Sequence, residues 1–329
     1  MKFALLFLFT ATVCFGQAPH FEMQAQGVPL PTAKFDIVNK IPKSHSANLP
    51  KELPVFRYAA KPQEFPMTAL QTLLDQSAFA GTNVNDLLQG QTNSNNGIIR
   101  LTTARDRDYF IVNPVKGRVS SQNGSHEVNL RQETPPRDGV PSSESISNSL
   151  LHYAELFGVS KNDMERNKDG SIHMRRTEDT ITRLGGAVKY VDNRSTSVSR
   201  NIAGRVFWSV EDRIYLQLGI DGRLLRFEFN WRPMETVRTN RLFTTDEILD
   251  KIKKGEVLAD ITNEYPDDGI AKIILKDIQI DYYTTPSPDF RPASTNADIY
   301  PIASIYVTFK SKSGKSTDGG LFAPVVDSR

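Results

Sequence analysis

Apolar residues recur along this chain in two rhythms. Met67, Leu70, Leu73 and Leu74 fall three and four positions apart, as do Ile146, Leu150, Tyr153, Ala154 and Phe157, and Ile248, Leu249 and Ile252. That spacing lines one face of a helix. Elsewhere apolar and polar positions alternate, the period of a half-buried strand. Such stretches lie at 53–58, 98–103, 109–112, 118–121, 187–191, 205–210, 213–220, 224–231, 273–283, 302–309 and 321–326.

The punctuation agrees with these readings. Pro66 suits a first helical turn, Ser142 or Ser143 caps the second helix, and Thr244 or Thr245 caps the third. Gly158 and Gly255 stand where the second and third helices should stop. Asp221-Gly222 is a hairpin turn signal between two strands. The Gly- and Asn-rich residues 81–97 read as a loop, and the Pro-, Ser- and Asp-rich residues 132–145 as a boundary. A helix followed by antiparallel strands thus occurs three times. This order predicts an α+β fold of tandem units, each one helix packed on an antiparallel sheet. The units expected are 51–135, 140–238 and 240–329, behind a flexible, Pro- and Ser-rich N-terminal arm at 17–50.

Several phrases carry a family likeness. They are Leu53-Pro-Val-Phe-Arg-Tyr58, Ser199-Arg-Asn-Ile-Ala-Gly-Arg-Val-Phe-Trp208, Ile214-Tyr-Leu-Gln-Leu-Gly-Ile-Asp-Gly-Arg223 and Phe229-Asn-Trp-Arg-Pro233. The layout resembles PepSY-type, propeptide-like modules of secreted proteins, with a cystatin-like helix on a sheet. It is also similar to extracytoplasmic regulators of a Gram-positive cell-wall histidine kinase. The resemblance implies a non-catalytic module that inhibits or chaperones a peptidase, or regulates an envelope partner.

The first residues change the compartment expected. Met1-Lys2 precedes an apolar run at 3–15, and Gly16 supplies a small residue. This is the pattern of a secretory signal peptide cleaved near Gly16, too short for the roughly 20 residues of a membrane span. The single cysteine, Cys14, lies inside that leader, so the mature protein is expected to be cysteine-free, secreted or periplasmic. The sequence carries 40 Lys+Arg against 38 Asp+Glu, a formal net charge of +2, which argues against a nucleic-acid binder driven by a basic surface.

Candidate chemistry is sparse. The five histidines form no metal-ligand spacing, and His152 with Glu155 reads as a polar pair on a helix. Residues 165–170 lack the acids of a calcium loop, and Gly314-Lys-Ser-Thr317 lacks the first glycine of a phosphate loop. No catalytic residue, cofactor site or metal site is read. The aromatic residues Trp208, Phe227, Phe229 and Trp231 alternate with polar neighbours, and Arg205, Arg226 and Arg232 lie close by. They are either core beneath a helix or a partner groove; Trp208, Trp231, Arg205, Arg226 and Arg232 are the candidate surface. Asn123 and Asn193 head glycosylation sequons. The expected function is a secreted, non-catalytic binding or regulatory protein that meets a protein partner through a sheet face or edge. The alternatives are an extracellular hydrolase with dispersed acids and an envelope-associated structural protein.

Overall fold

Long-range strand pairing organises this chain. The computed structural model describes residues 28–29, 35–90, 98–103, 107–124, 139–182, 189–208, 212–261, 269–283 and 298–326. The N-terminal half contains β1 (Val28–Pro29), β2 (Asp36–Asn39), α1 (Lys43–Ala47), β3 (Glu52–Tyr58), α2 (Met67–Asp75), α3 (Val84–Gly90), β4 (Ile99–Thr102), β5 (Asp108–Asn113), β6 (Arg118–Asn123) and α4 (Ser143–Leu156). There follow β7 (Arg175–Thr182), β8 (Lys189–Ser199), β9 (Asn201–Ile202), β10 (Arg205–Trp208), β11 (Arg213–Leu218), β12 (Leu224–Asn230) and β13 (Met234–Arg241). The last elements are α5 (Thr245–Lys253), β14 (Leu258–Ile261), β15 (Ile270–Tyr283), β16 (Asp298–Ile299), β17 (Pro301–Ser311) and β18 (Ser316–Pro324).

These strands form three sheets. Sheet I runs β1-β14-β18-β17-β15-β10-β9, with β2 also bonded to β15. Sheet II runs β4-β5-β6-β12-β11-β8-β7, and sheet III runs β13-β3-β16. The expected α+β architecture of one helix per sheet is therefore corrected: the described chain is mostly β, with three sheets and five helices among the described residues. The cause is edge satisfaction. The β4-β5-β6 meander leaves one edge of β6 with unpaired backbone groups, and β12 supplies their partners through Arg226↔Gln122, Glu228↔Ser120 and Asn230↔Arg118. Strands on both sides of the expected boundary at 135–140 thereby merge into one sheet.

The helices obey their local signals. Ser142 caps α4 by accepting from Ser145 N, and Thr244 forms a reciprocal capping box with Glu247 in α5. Both α2 and α4 pack on one face of sheet II, where Leu70, Leu74, Ile146 and Leu150 meet Ile214, Leu216, Phe227 and Phe229. Phe157 stacks on Phe229 with centroids 4.6 Å apart. A second core lies beneath sheet I, where Ile248 and Ile252 of α5 meet Ile278, Ile305, Val307 and Leu321. Sheet III joins the two, since Phe56 and Tyr58 pack with Phe207 and Tyr282 of sheet I.

Some details differ from the sequence pattern. The loop expected at 81–97 contains α3, and β7 and β13 were not expected. Both new strands are charged and show little alternation of apolar residues. Part of the expected arm is paired: Asp36–Asn39 runs parallel to β15 over Lys272–Leu275. The leader at 1–16 lies outside the described residues.

Candidate functional site

Alternation along three central strands of sheet I sorts their side chains onto two faces. Leu275, Ile278 and Ile280 of β15, Ile305 and Val307 of β17, and Leu321 and Ala323 of β18 point into the core with α5. The opposite face carries cross-strand rungs fixed by register. Asp277 pairs with Tyr306 and Tyr306 with Gly320; Gln279 pairs with Ser304 and Ser304 with Phe322. A register shift between Leu275 and Asp277 inserts Lys276 as an extra residue. Such a bulge re-aims side chains locally, and Lys276 here reaches across β17 to β18.

This face is concave. Asp277, Gln279, Ser304, Tyr306, Asp318, Gly319, Gly320 and Phe322 line a cavity of about 480 Å³. Its depth has a simple cause: Gly320 has no side chain, while Tyr306 beside it is 48% exposed. A Cβ built on Gly320 finds its nearest neighbours at 4.0 Å, so the space above it is open. Phe322 is braced by Tyr283, edge to face at 5.1 Å.

The polar groups are held in place. Asp318 accepts from Thr308 Oγ1, from Lys276 Nζ at 3.0 Å and from Tyr306 Oη at 2.9 Å. Those hydrogen bonds, Thr308 first, hold its carboxyl down at about 2. Lys276 Nζ also lies 5.0 Å from the Tyr306 ring centroid, a cation–π contact. At the rim, Asp277 Oδ1 meets His45 Nδ1 of α1 at 2.7 Å and accepts from Ile278 N at 2.8 Å. The result is a preorganised set of acceptors and donors around an exposed aromatic ring.

The five residues expected to share a surface are spread over β10 of sheet I, β12 of sheet II and the segment that follows β12. Arg226 lies on the outer face of sheet II, where it and Arg213 flank Glu228. Burial pushes the Glu228 carboxyl up, but the charges and hydrogen bonds of Arg226 and Arg213 pull it below the usual carboxylate range. Trp231 and Arg232 are buried where sheets II and III meet. There Arg200 stacks 4.7 Å from the Trp231 ring centroid, donates to Arg232 O at 2.7 Å and lies 3.4 Å from Asp212. Arg232 in turn donates to Ala59 O at 2.7 Å, and Tyr58 donates to Asp212. Arg205 and Trp208 sit in β10 of sheet I, where Trp208 pairs with Tyr283 in parallel register. Phe227 and Phe229 are core beneath α4.

Sequence reading missed the sheet I groove. The one signal available was Asp318-Gly-Gly320 inside a strand pattern, since glycine in a strand interior marks a place where another group can approach closely. His152 lines a wider, polar cavity of about 690 Å³ with Gln76, Glu144, Asn148 and Tyr153. There Tyr153 donates to Gln76, and burial pushes its hydroxyl up to about 12. Both sequon amides are engaged. Asn123 is fully buried, donates to Leu224 O at 2.6 Å and accepts from Ala78 N at 2.8 Å, while Asn193 accepts from Gln217 at 2.8 Å. Among the described residues, no group of three or more His, Cys, Asp or Glu is placed to hold a metal ion. No described helix is long and apolar enough to cross a membrane. No family model matches this chain, and no curated protein matches it.

Proposed function

We propose that this chain is a secreted, non-catalytic binding protein whose recognition surface is the outer face of sheet I. The observation that carries this reading is the cavity beside Gly320, framed by Tyr306, Phe322 and Gln279 on strands held rigid by pairing on both sides. Its size falls within the range of about 300–1,000 Å³ typical of small-ligand pockets. A preorganised site on strands loses little ordering entropy when it binds.

Neither edge of sheet II favours the addition of another strand. At one end of sheet II, β7 presents Arg175, Arg176, Glu178 and Asp179, all exposed. Charges on an edge strand oppose the addition of another strand. At the other end, β4 is only four residues long.

The test is retention. Wild-type protein and the Gly320→Phe and Tyr306→Ala variants are immobilised in parallel and exposed to culture medium and envelope extract from the organism that makes the protein. Material held by the wild type and lost from both variants is the expected result. Equal retention by all three proteins overturns the reading.

A further inference from the structure

We infer that the sheet I groove takes a neutral sugar ring, a hexopyranose unit of a glycan chain; this rests on the reading of the groove as a recognition surface. The argument runs through the chemistry of each wall. Tyr306 lines the cavity and is 48% exposed even with Lys276 Nζ over its ring, and the C–H face of a pyranose is an apolar patch that packs against exposed ring surface. Around the ring stand groups that bond hydroxyls. Gln279 supplies both a donor and an acceptor, Ser304 a hydroxyl, and Asp277 a carboxylate acceptor. Thr308, Lys276 and Tyr306 hold the Asp318 carboxylate in one orientation beside the cavity. Polar groups so placed discriminate strongly for a ligand that supplies matching hydroxyls.

Other ligand classes fit less well. A cation would meet carboxylates that already have partners, Asp318 with Lys276 and Asp277 with His45. A phosphate or other anion would have to compete with Asp318 for Lys276, the ammonium nearest the cavity. An extended peptide that binds by strand addition needs a free edge, and β15, β17 and β18 are bonded on both sides.

Titration calorimetry tests this on the full chain with three kinds of probe. The first is a set of defined neutral oligosaccharides: β-1,4-linked glucose, mannose and N-acetylglucosamine tetramers. The second is a lysine-rich peptide, and the third is inorganic phosphate. The expected result is binding of at least one oligosaccharide, insensitive to high salt and weakened about tenfold or more, equivalent to about 1.4 kcal/mol, by Tyr306→Ala and by Gly320→Phe. The exposed Gln279→Ala change should weaken it as well, and circular dichroism checks that each variant is folded. Peptide or phosphate binding that is lost in the groove variants, with no oligosaccharide bound, overturns the sugar assignment and leaves the recognition surface standing. No groove-dependent binding of any probe overturns the assignment too. If the extract experiment also shows no groove-dependent retention, the recognition surface falls with it.

Discussion

The outer faces of sheets I and II carry similar groups and end as different surfaces. On sheet II, Tyr215 lies between Arg213 and Arg226, each guanidinium carbon 5.6 Å from its ring centroid, and both arginines bond Glu228. On sheet I, Tyr306 likewise has a cation over its ring and a carboxylate bonded to that cation, Lys276 and Asp318. The cross-strand neighbours differ. Tyr215 stands opposite Glu228 and Ser197, whereas Tyr306 stands opposite Asp277 and Gly320. A side chain fills the space in one sheet and is missing in the other. The concavity comes from that absence more than from any special chemistry.

Four experiments would break or sharpen this contrast. The largest effect belongs to the support beneath sheet II. Phe229→Ala leaves a hole against Phe157 and Phe65 and should cost about 3–5 kcal/mol in equilibrium denaturation. A cost below 1 kcal/mol would show that sheet II does not depend on its helical layer. Next comes Glu228→Gln, which leaves Arg213 and Arg226 without their shared anion. Because both arginines are more than a third exposed, solvent screens part of the loss, and we expect about 1–3 kcal/mol.

Gly320→Phe should change stability by no more than about 0.5 kcal/mol, since the new Cβ meets nothing closer than 4.0 Å and glycine is a poor strand residue. A large destabilisation would mean that Gly320 serves packing and that the groove is incidental. The last effect is electrostatic. Asp318 has a folded pKa of about 2 against an ordinary 3.8, so its contribution is complete above about pH 4 and fades as the pH falls towards 2. A carboxyl-carbon NMR titration should find its midpoint near 2. A midpoint near 3.8 would show that the bonds to Thr308, Lys276 and Tyr306 do not hold in solution.

A good part of the secondary structure was legible in the sequence. Strand β3, helix α2, the β4-β5 hairpin, α4 with its Ser142 cap, the β11-β12 hairpin and α5 all follow from signals within a few residues. The elements that escaped were those without such signals. β7 is exposed and charged, and α3 lies in a stretch dominated by Asn, Gly and Gln. The architecture was misread for another reason. Helix-then-strands order suggested closed units, but hydrogen bonding is free to join β6 to β12, about a hundred residues along the chain. The candidate surface is likewise divided between elements. Proximity in sequence put Arg226 beside Trp231 and Arg232, whereas alternation turns Arg226 outward and the end of β12 carries the other two into the junction around Arg200 and Asp212.

The sequence by itself determined the elements with strong local signals: helices α2, α4 and α5 with their starts, and the strands whose apolar and polar residues alternate. Those properties depend on side chains within one or two turns of each other and on backbone conformations that each residue type prefers. The tertiary structure alone decided which strands share a sheet, and hence that Asp277, Tyr306 and Gly320 stand in one row. Strand partners are chosen by the requirement that every buried backbone group find a bond, and that requirement is met across the whole chain. The groove exists because that pairing sets a glycine next to a tyrosine from another strand.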